Sequence, residues 1–195
     1  VPISGAADHV VSEALYLSDP DGHGIEIYRD RPREAWEGRV SQRMTTLPLD
    51  LQSLLSELQA PGAERPFEGL PQGTRMGHVH LKVATIDTTI AFFRDVVGFG
   101  LMASLGHSAA FLSAGGYHHH LGANTWESAG GPPPGEHMAA LRWVTFVLPD
   151  AAERERVLAR AGAAGIGVEE RHGDPAVRDP SGNLLVLALA GAETA

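Results

Sequence analysis

The sequence reads DPDGHGIEIY at residues 19–28 and DPSGNLLVLAL at residues 179–189, and these two stretches decide the fold. Each places an Asp-Pro-x-Gly turn directly before an apolar run, which is the pattern of a tight turn that leads into a β-strand. The second stretch follows the first by 160 residues. Recurrence of one turn and one strand at such a distance indicates an internal repeat.

The first copy closes a β-hairpin. Ser12–Ser18 reads SEALYLS, Gly24–Tyr28 reads GIEIY, and the turn lies between them. A two-stranded hairpin is only marginally stable in water. We therefore predict an orphan β-hairpin within residues 1–34, as the C-terminal remnant of a preceding module. Residues 35–75 are rich in proline and predict a linker with one docked helix, Asp50–Gln59, whose apolar face is formed by Leu51, Leu54, Leu55 and Leu58.

A regular unit begins at residue 76. Val79, Leu81 and Val83 alternate as in a strand, and Asp87 is expected to cap a helix that ends at Gly98-Phe99-Gly100. Three more strands are predicted at 101–105, 109–113 and 117–121. The order β, α, β, β, β predicts one module over residues 76–130.

A second module is predicted over residues 131–195. Val144, Phe146 and Leu148 repeat the alternation 65 residues after the first module, and Asp150 is expected to cap the second helix. The last strand is Leu184–Leu189, after the second turn. The sequence thus predicts an α+β fold of paired βαβββ modules, preceded by the hairpin.

Composition limits the possible functions. The 195 residues include 15 Lys and Arg against 24 Asp and Glu, a net charge of −9, which disfavours nucleic acid as a partner. No apolar run reaches the ~20 residues that span a bilayer, and residues 1–11 lack the pattern of a signal peptide, so no membrane partner and a cytoplasmic location are expected. The chain has no Cys and ten His, which leaves His, Asp and Glu as metal ligands.

Four long stretches carry a family resemblance: HVVSEALYLSDPDGHGIE at 9–26, DRPREAW at 30–36, GHVHLKV at 77–83 and GGYHHHLGANTW at 115–126. Together with the modules, they resemble the catechol 2,3-dioxygenase-like bacterial branch of the vicinal oxygen chelate superfamily, which also holds glyoxalases and bleomycin resistance proteins. The resemblance implies curved mixed sheets. Members of this branch carry four modules, so about a hundred further residues are expected before residue 1.

The resemblance also implies a metal site. Extradiol ring cleavage uses Fe(II), or else Mn(II), held by two imidazoles and one carboxylate. Glu26 matches the carboxylate ligand, Tyr16 the active-site tyrosine and His9 a histidine that would hydrogen-bond the bound substrate. The two imidazole ligands are expected before residue 1. From spacing alone, a solvent-facing Glu26, a packed Tyr16 and a solvated His9 remain alternatives.

A second candidate site involves His78 and His120, which match ligand positions on the first and fourth strands of one module. The matching positions of the next module are Trp143 and Val186, which bind no metal. Alternation would place His78 with His80 and His118 with His120 on common faces, where four imidazoles would favour Zn, Ni, Cu or Fe. The alternative is a structural hydrogen-bonded network of histidines.

We therefore expect an extradiol dioxygenase that acts on a small aromatic diol and dioxygen. A glyoxalase-like isomerase or lyase with Zn or Ni is a second possibility. A metal-free aromatic-binding or scaffold protein is a third. The open edges of the hairpin 12–28 also predict a homo-oligomer, in which Glu26 meets histidines of a neighbouring copy.

Overall fold

The computed structural model describes residues 2–59, 66, 68–135 and 137–191, in two compact units, Val1–Met76 and Gly77–Ala195. The strands are β1 Ile3–Asp8, β2 Ser12–Ser18, β3 Gly24–Asp30, β4 Val79–Lys82, β5 Gly100–Ser104, β6 Ala109–Ser113, β7 Leu121–Asn124, β8 Val144–Leu148, β9 Val168–Arg171, β10 Asp174–Arg178 and β11 Leu184–Leu189. The α-helices are α1 Val40–Arg43, α2 Leu51–Ser56, α3 Ile86–Phe92 and α4 Ala151–Ala163. None of these helices is long and apolar enough to span a membrane.

The first unit contains an antiparallel sheet in the order β1-β2-β3. The predicted hairpin is present as β2 and β3, with Tyr16 opposite Glu26. The hairpin is not an orphan, however, because β1 pairs with β2 along Gly5–Asp8. The sequence ISGAAD of β1 has no large alternating side chains, so its pairing rests on backbone hydrogen bonds that the hydrophobic pattern does not reveal.

The segment after this sheet contains more structure than the one predicted helix. A 3₁₀ turn at Arg33–Ala35 and helix α1 precede α2, and the buried side chains of Trp36 and Val40 anchor them. Asp50 caps α2 as expected, since its carboxylate accepts from the Ser53 N–H. The expectation that one leucine face docks is wrong for Leu51, Leu55 and Leu58, which are 48%, 57% and 62% exposed. The predicted linker also includes 60–65 and 67, which lie outside the described residues.

The second unit contains two four-stranded sheets with the same topology, β4-β7-β6-β5 and β8-β11-β10-β9. In each, the first strand pairs in parallel with the last, and the other pairs are antiparallel. A helix connects the first two strands of each set. These open, mixed sheets are the predicted βαβββ modules, and the predicted α+β fold is confirmed.

One apolar core joins the two modules. Phe93 is fully buried, and it shares a cluster with Leu121 of the first module and Leu185 of the second. Helix α3 continues into a π-helical turn, Phe93–Val97, which ends at Gly98 with φ of 95°. The Arg160 side chain of α4 donates to the carbonyls of Val96 and Val97 at 2.7 and 3.1 Å. The second module thereby binds the helix end of the first.

The two Asp-Pro turns have the same hydrogen bonds. The Asp19 Oδ1 atom accepts from the backbone N–H groups of residues 21 and 23 at 2.9 and 2.8 Å. Asp179 Oδ1 does the same for residues 181 and 183 at 2.9 and 2.8 Å. The bonds from His23 lower the pKa of Asp19, whose side chain is 30% exposed, whereas burial raises the pKa of Asp179. This identity of geometry supports the internal repeat.

Two local predictions are wrong. Asp150 caps α4, but Asp87 does not cap α3: the N-cap is Thr85, and the Asp87 carboxylate lies 3.2 Å from His107 Nδ1. The fourth strand of the first module is Leu121–Asn124 rather than 117–121. Its three preceding histidines occupy a loop, because Gly115 and Gly116 both adopt positive φ and delay entry into the strand. Strand alternation therefore does not place His118 and His120.

Candidate functional site

Strand register brings two predicted site residues together. Tyr16 on β2 lies directly opposite Glu26 on β3, and directly paired residues of antiparallel strands project on the same face of the sheet. The Tyr16 hydroxyl lies 3.1 Å from Glu26 Oε1 and donates to it. Both side chains are partly buried. Glu26 is therefore not a fully solvated carboxylate.

His9 completes a chain of three polar side chains. It lies in the loop between β1 and β2, and its Nε2 atom is 2.6 Å from the Tyr16 hydroxyl. Its Nδ1 atom is 2.9 Å from the carbonyl oxygen of Thr45. The two rings meet edge to face, with centroids 6.3 Å apart. The structure thus joins His9, Tyr16 and Glu26, three residues that the sequence resemblance selected separately.

The environment of Tyr16 favours its neutral form. Burial and the nearby charge of Glu26 raise the pKa of the Tyr16 phenol above its ordinary value of 10.0. The hydrogen bond to Glu26 acts in the same direction. At neutral pH, Tyr16 is consequently a hydrogen-bond donor and not a tyrosinate.

The loop that carries His9 has features that sequence reasoning missed. Val10 has φ of 67°, which is rare for a β-branched residue. Its N–H donates to Asp8 Oδ1 at 2.7 Å, and Arg31 donates to Asp8 Oδ2 at 2.7 Å. A left-handed valine leaves no signal in the sequence. The Asp8–Arg31 pair is likewise a contact between distant positions that no local pattern predicts.

His118 and His119 are the buried members of a histidine cluster in the second unit. His118 is fully buried and His119 is 9% exposed, with their Nδ1 atoms 2.8 Å apart. The rings of His78 and His119 lie 4.2 Å apart. His120 Nδ1 accepts from the backbone N–H of Ala114 at 3.2 Å. The imidazole nitrogens of His118, His119 and His120 thus contact other groups of the protein, as expected if these histidines form a structural hydrogen-bonded network.

The ligand positions lost in the second module are filled by packing. Val186 is 3% exposed and clusters with Ala176 and Leu184, and Trp143 packs against them. The Arg171 guanidinium carbon lies 4.3 Å from the Trp143 ring centroid. This corner of the module is a packed apolar cluster with a cation–π contact.

One group of three ligand atoms within 4.8 Å of one another is present among the described residues, at Asp19, Asp21 and His23. It lies on the first Asp-Pro turn, where His23 Nδ1 is 3.0 Å from Asp19 Oδ2. In the second turn the Asn183 amide donates to Asp179 Oδ2 at 2.8 Å, so the His23 contact is a structural bond of the repeated turn. Neither Glu26, within the described part of its unit, nor His78 and His120, within theirs, belongs to such a group.

The paired modules and their strand order define the class of this protein. The chain belongs to the glyoxalase/bleomycin resistance protein/dioxygenase superfamily, whose family description matches residues 75–187. It is 45% identical over 189 residues to a catechol-2,3-dioxygenase of Bacillus subtilis (strain 168). That alignment covers 95% of this chain and 65% of the Bacillus protein, so the chain spans less than two thirds of that relative's length.

Two solved structures are similar to part of this chain. A lactoylglutathione lyase from Agrobacterium tumefaciens has 26% identity and a TM-score of 0.47, over 62% of this chain and 96% of that one. A possible glyoxalase from Bacillus cereus has 17% identity and a TM-score of 0.45, over 60% of this chain and 99% of that one.

Proposed function

We propose that this chain is part of an extradiol dioxygenase, which cleaves the ring of a small aromatic diol with dioxygen. The observation that carries the proposal is the chain of contacts from His9 through Tyr16 to Glu26. Membership of the superfamily and the 45% identity to a catechol-2,3-dioxygenase support it. A diol substrate must lose protons as it binds a metal, and a carboxylate beside a histidine–tyrosine pair suits that chemistry.

Glu26 would be the carboxylate ligand of the metal. A carboxylate oxygen suits Fe(II), which we favour, and also Mn(II). When bound, the metal would supply the Lewis acidity and the redox chemistry that the reaction of a diol with dioxygen requires. Because Glu26 belongs to no three-ligand group within the described part of the first unit, its imidazole partners would come from outside that part.

Tyr16 and His9 would handle protons beside this ligand. The neutral phenol of Tyr16 would orient a substrate oxygen by hydrogen bonding while it holds Glu26 Oε1 in place. His9 Nε2, at 2.6 Å from the phenol, would take or return a proton through Tyr16. Partial burial of both side chains strengthens these hydrogen bonds relative to those in water.

Metal stoichiometry tests the assignment of Glu26. In the predicted homo-oligomer, where a neighbouring copy supplies the imidazoles, the wild type is expected to retain Fe(II) after anaerobic loading and desalting, and Glu26→Ala is expected to lose it. Asp21→Asn is the matched control, since it removes one carboxylate from the exposed turn but keeps the backbone N–H that bonds Asp19. Iron retained by Glu26→Ala would overturn the assignment.

His78 and His120 remain predicted ligands of a second site, and the same experiment includes them. His78→Ala and His120→Ala are expected to leave iron bound to Glu26 unchanged. Zn or Ni bound by the wild type but not by these variants would favour the isomerase or lyase alternative. Ring opening of catechol, followed by its absorbance with the iron-loaded protein, tests the activity itself.

A further inference from the structure

The contacts of His9 determine which of its nitrogens carries a proton. A backbone carbonyl oxygen accepts hydrogen bonds and cannot donate them. Because Thr45 O lies 2.9 Å from His9 Nδ1, that nitrogen must hold a hydrogen. The Thr46 hydroxyl, 3.4 Å from the same atom, adds only a weak contact. In the neutral ring, the lone pair is then on Nε2, which faces Tyr16 at 2.6 Å.

This tautomer gives the phenolic proton two alternative acceptors. In this neutral tautomer, Nε2 and Glu26 Oε1 are both acceptors within reach of the one phenolic proton of Tyr16, at 2.6 and 3.1 Å from its oxygen. The tautomer therefore makes Nε2 an acceptor that competes with Glu26 for the phenolic proton.

A short segment holds the carbonyl that imposes this arrangement. We call residues 45–47 the strap, since they run antiparallel to Asp8 and His9. The Asp8 N–H donates to Leu47 O at 2.9 Å, and the Leu47 N–H donates to Asp8 O at 2.8 Å. The Thr45 N–H adds a longer bond to His9 O at 3.4 Å.

The other side of the loop is fixed as well. Val10 has left-handed φ, and Asp8 bonds both its N–H and the Arg31 side chain. The His9 backbone N–H donates to Ser12 O at 2.8 Å. Backbone hydrogen bonds on both sides of His9 thus hold its imidazole ring between the strap and Tyr16.

We propose that the strap is a positioning element, which fixes His9 as its Nδ1–H tautomer and so makes Nε2 the atom that exchanges a proton with Tyr16. The value of this for catalysis rests on the proposed function. The assignment of the tautomer does not rest on the proposed function, since it follows from contacts within the first unit. Thr45 and Leu47 act through backbone groups, so they are positioning residues and touch no substrate.

Nitrogen NMR on the full chain tests the tautomer. Long-range ¹H–¹⁵N correlations of ¹⁵N-histidine distinguish protonated from lone-pair nitrogens, and loss of one set in His9→Gln identifies the His9 signals. In spectra of the neutral imidazole, wild-type His9 is expected to show Nδ1–H with Nε2 unprotonated. An Nε2–H tautomer in the wild type would overturn the proposal.

Two variants at one position test the strap. Leu47→Pro removes the N–H that donates to Asp8 O and is expected to give a mixture of both His9 tautomers. Leu47→Ala keeps that N–H and loses only a side chain that is 47% exposed, so it is expected to match the wild type. A folded Leu47→Pro protein with an unchanged tautomer would refute the role of the strap. If Leu47→Pro does not fold, the wild-type spectrum still decides the tautomer.

The two proposals fail separately. A metal-free chain that binds no iron and opens no catechol ring, yet shows a fixed Nδ1–H tautomer, would refute the proposed function and support the role of the strap. Iron binding at Glu26 with a mixed His9 tautomer in the wild type would support the proposed function and refute the role of the strap.

Discussion

At the scale of single residues, the pairing of Tyr16 with Glu26 has a measurable result. Burial and the Glu26 charge raise the pKa of Tyr16 above its ordinary value of 10.0. Glu26→Gln removes the charge while it keeps an oxygen acceptor, so it is expected to lower the Tyr16 pKa toward that value. Ultraviolet difference titration of the phenol measures the shift.

The chain has three tyrosines, so Tyr16→Phe is needed to identify the Tyr16 signal by its loss. The linkage has a definite sign. Because the folded pKa is raised, the unfolded chain loses the proton first, and the free energy of unfolding falls as the pH rises above about 10. Tyr16→Phe is expected to remove this part of the alkaline decline. An unaltered Tyr16 titration in Glu26→Gln would contradict the pairing.

Val10 stores backbone strain next to His9. Its φ of 67° costs an L-residue roughly 1–2 kcal/mol, and β-branching adds to the penalty. Asn adopts this conformation readily, so Val10→Asn is expected to raise the free energy of unfolding by about 1 kcal/mol, measured by urea denaturation. Val11→Asn is the matched control: Val11 is 1% exposed, and a buried amide there is expected to destabilise. A destabilised Val10→Asn protein would mean that Val10 is not strained.

The candidate site was only partly predictable at this scale. The family motif pointed to Tyr16 and Glu26, and hairpin alternation is enough to place them on one face once the register is known. His9 was selected as a residue, but its contact with Tyr16 depends on the left-handed turn at Val10. Such a turn at valine opposes local preference, so only tertiary contacts, such as Asp8 with Arg31, specify it.

At the scale of elements, the repeated turn is stabilised unequally in its two copies. Asp179 is 5% exposed and accepts hydrogen bonds from the Ser181 and Asn183 backbones and from the Asn183 amide. Asp179→Ala leaves these donors without an acceptor and is expected to cost about 2–4 kcal/mol. Urea denaturation measures the change.

Two further substitutions give this prediction its controls. Asp179→Asn retains an oxygen for the two backbone donors and is expected to cost less than Asp179→Ala. Asp19→Ala removes the matching bonds from an exposed turn, where water replaces them, and is expected to cost less still. Equal losses for Asp19→Ala and Asp179→Ala would show that burial does not set the strength of the turn.

The errors in element prediction have physical causes. Strand β1 and strand β7 are built from small residues, so the apolar alternation that reveals Leu184–Leu189 is absent. Thr85, two residues before Asp87, is the N-cap of α3, and its side chain makes no cap hydrogen bond. Asp50 and Asp150 were correct as caps, since both carboxylates accept the N–H three residues later. The capping rule holds at α2 and α4, where the Asp side chain makes the cap hydrogen bond, and α3 has no such bond.

At the scale of the whole molecule, the two modules of the second unit share a fold but do not share the candidate ligand residues. Both modules of the second unit keep the same strand order, although Trp143 and Val186 occupy the ligand positions of one. Backbone pairing and the shared core, which includes Phe93 and Leu185, do not depend on ligands. The fold was therefore predictable from the repeated turn and strand pattern, whereas complete metal coordination was not.

The link between the modules gives a last prediction. Arg160 on α4 donates to the carbonyls of Val96 and Val97, where the helix of the other module leaves its last acceptors unsatisfied. Hydrogen bonds from a charged group are the stronger kind, so Arg160→Ala is expected to lower the free energy of unfolding by about 2 kcal/mol.

Arg156→Ala is the matched control for this link. Arg156 lies on the same helix and is 57% exposed, and it pairs with Glu153 at 2.6 Å. An exposed ion pair of this kind contributes roughly 0–1 kcal/mol, so its loss is expected to be small. Gly98→Ala is expected to disturb the same contact. An added Cβ at Gly98 would lie 3.0 Å from the Arg160 guanidinium, and the φ of +95° is unfavourable for alanine. If Arg160→Ala unfolds at the same urea concentration as Arg156→Ala, the Arg160 hydrogen bonds do not contribute to holding the modules together.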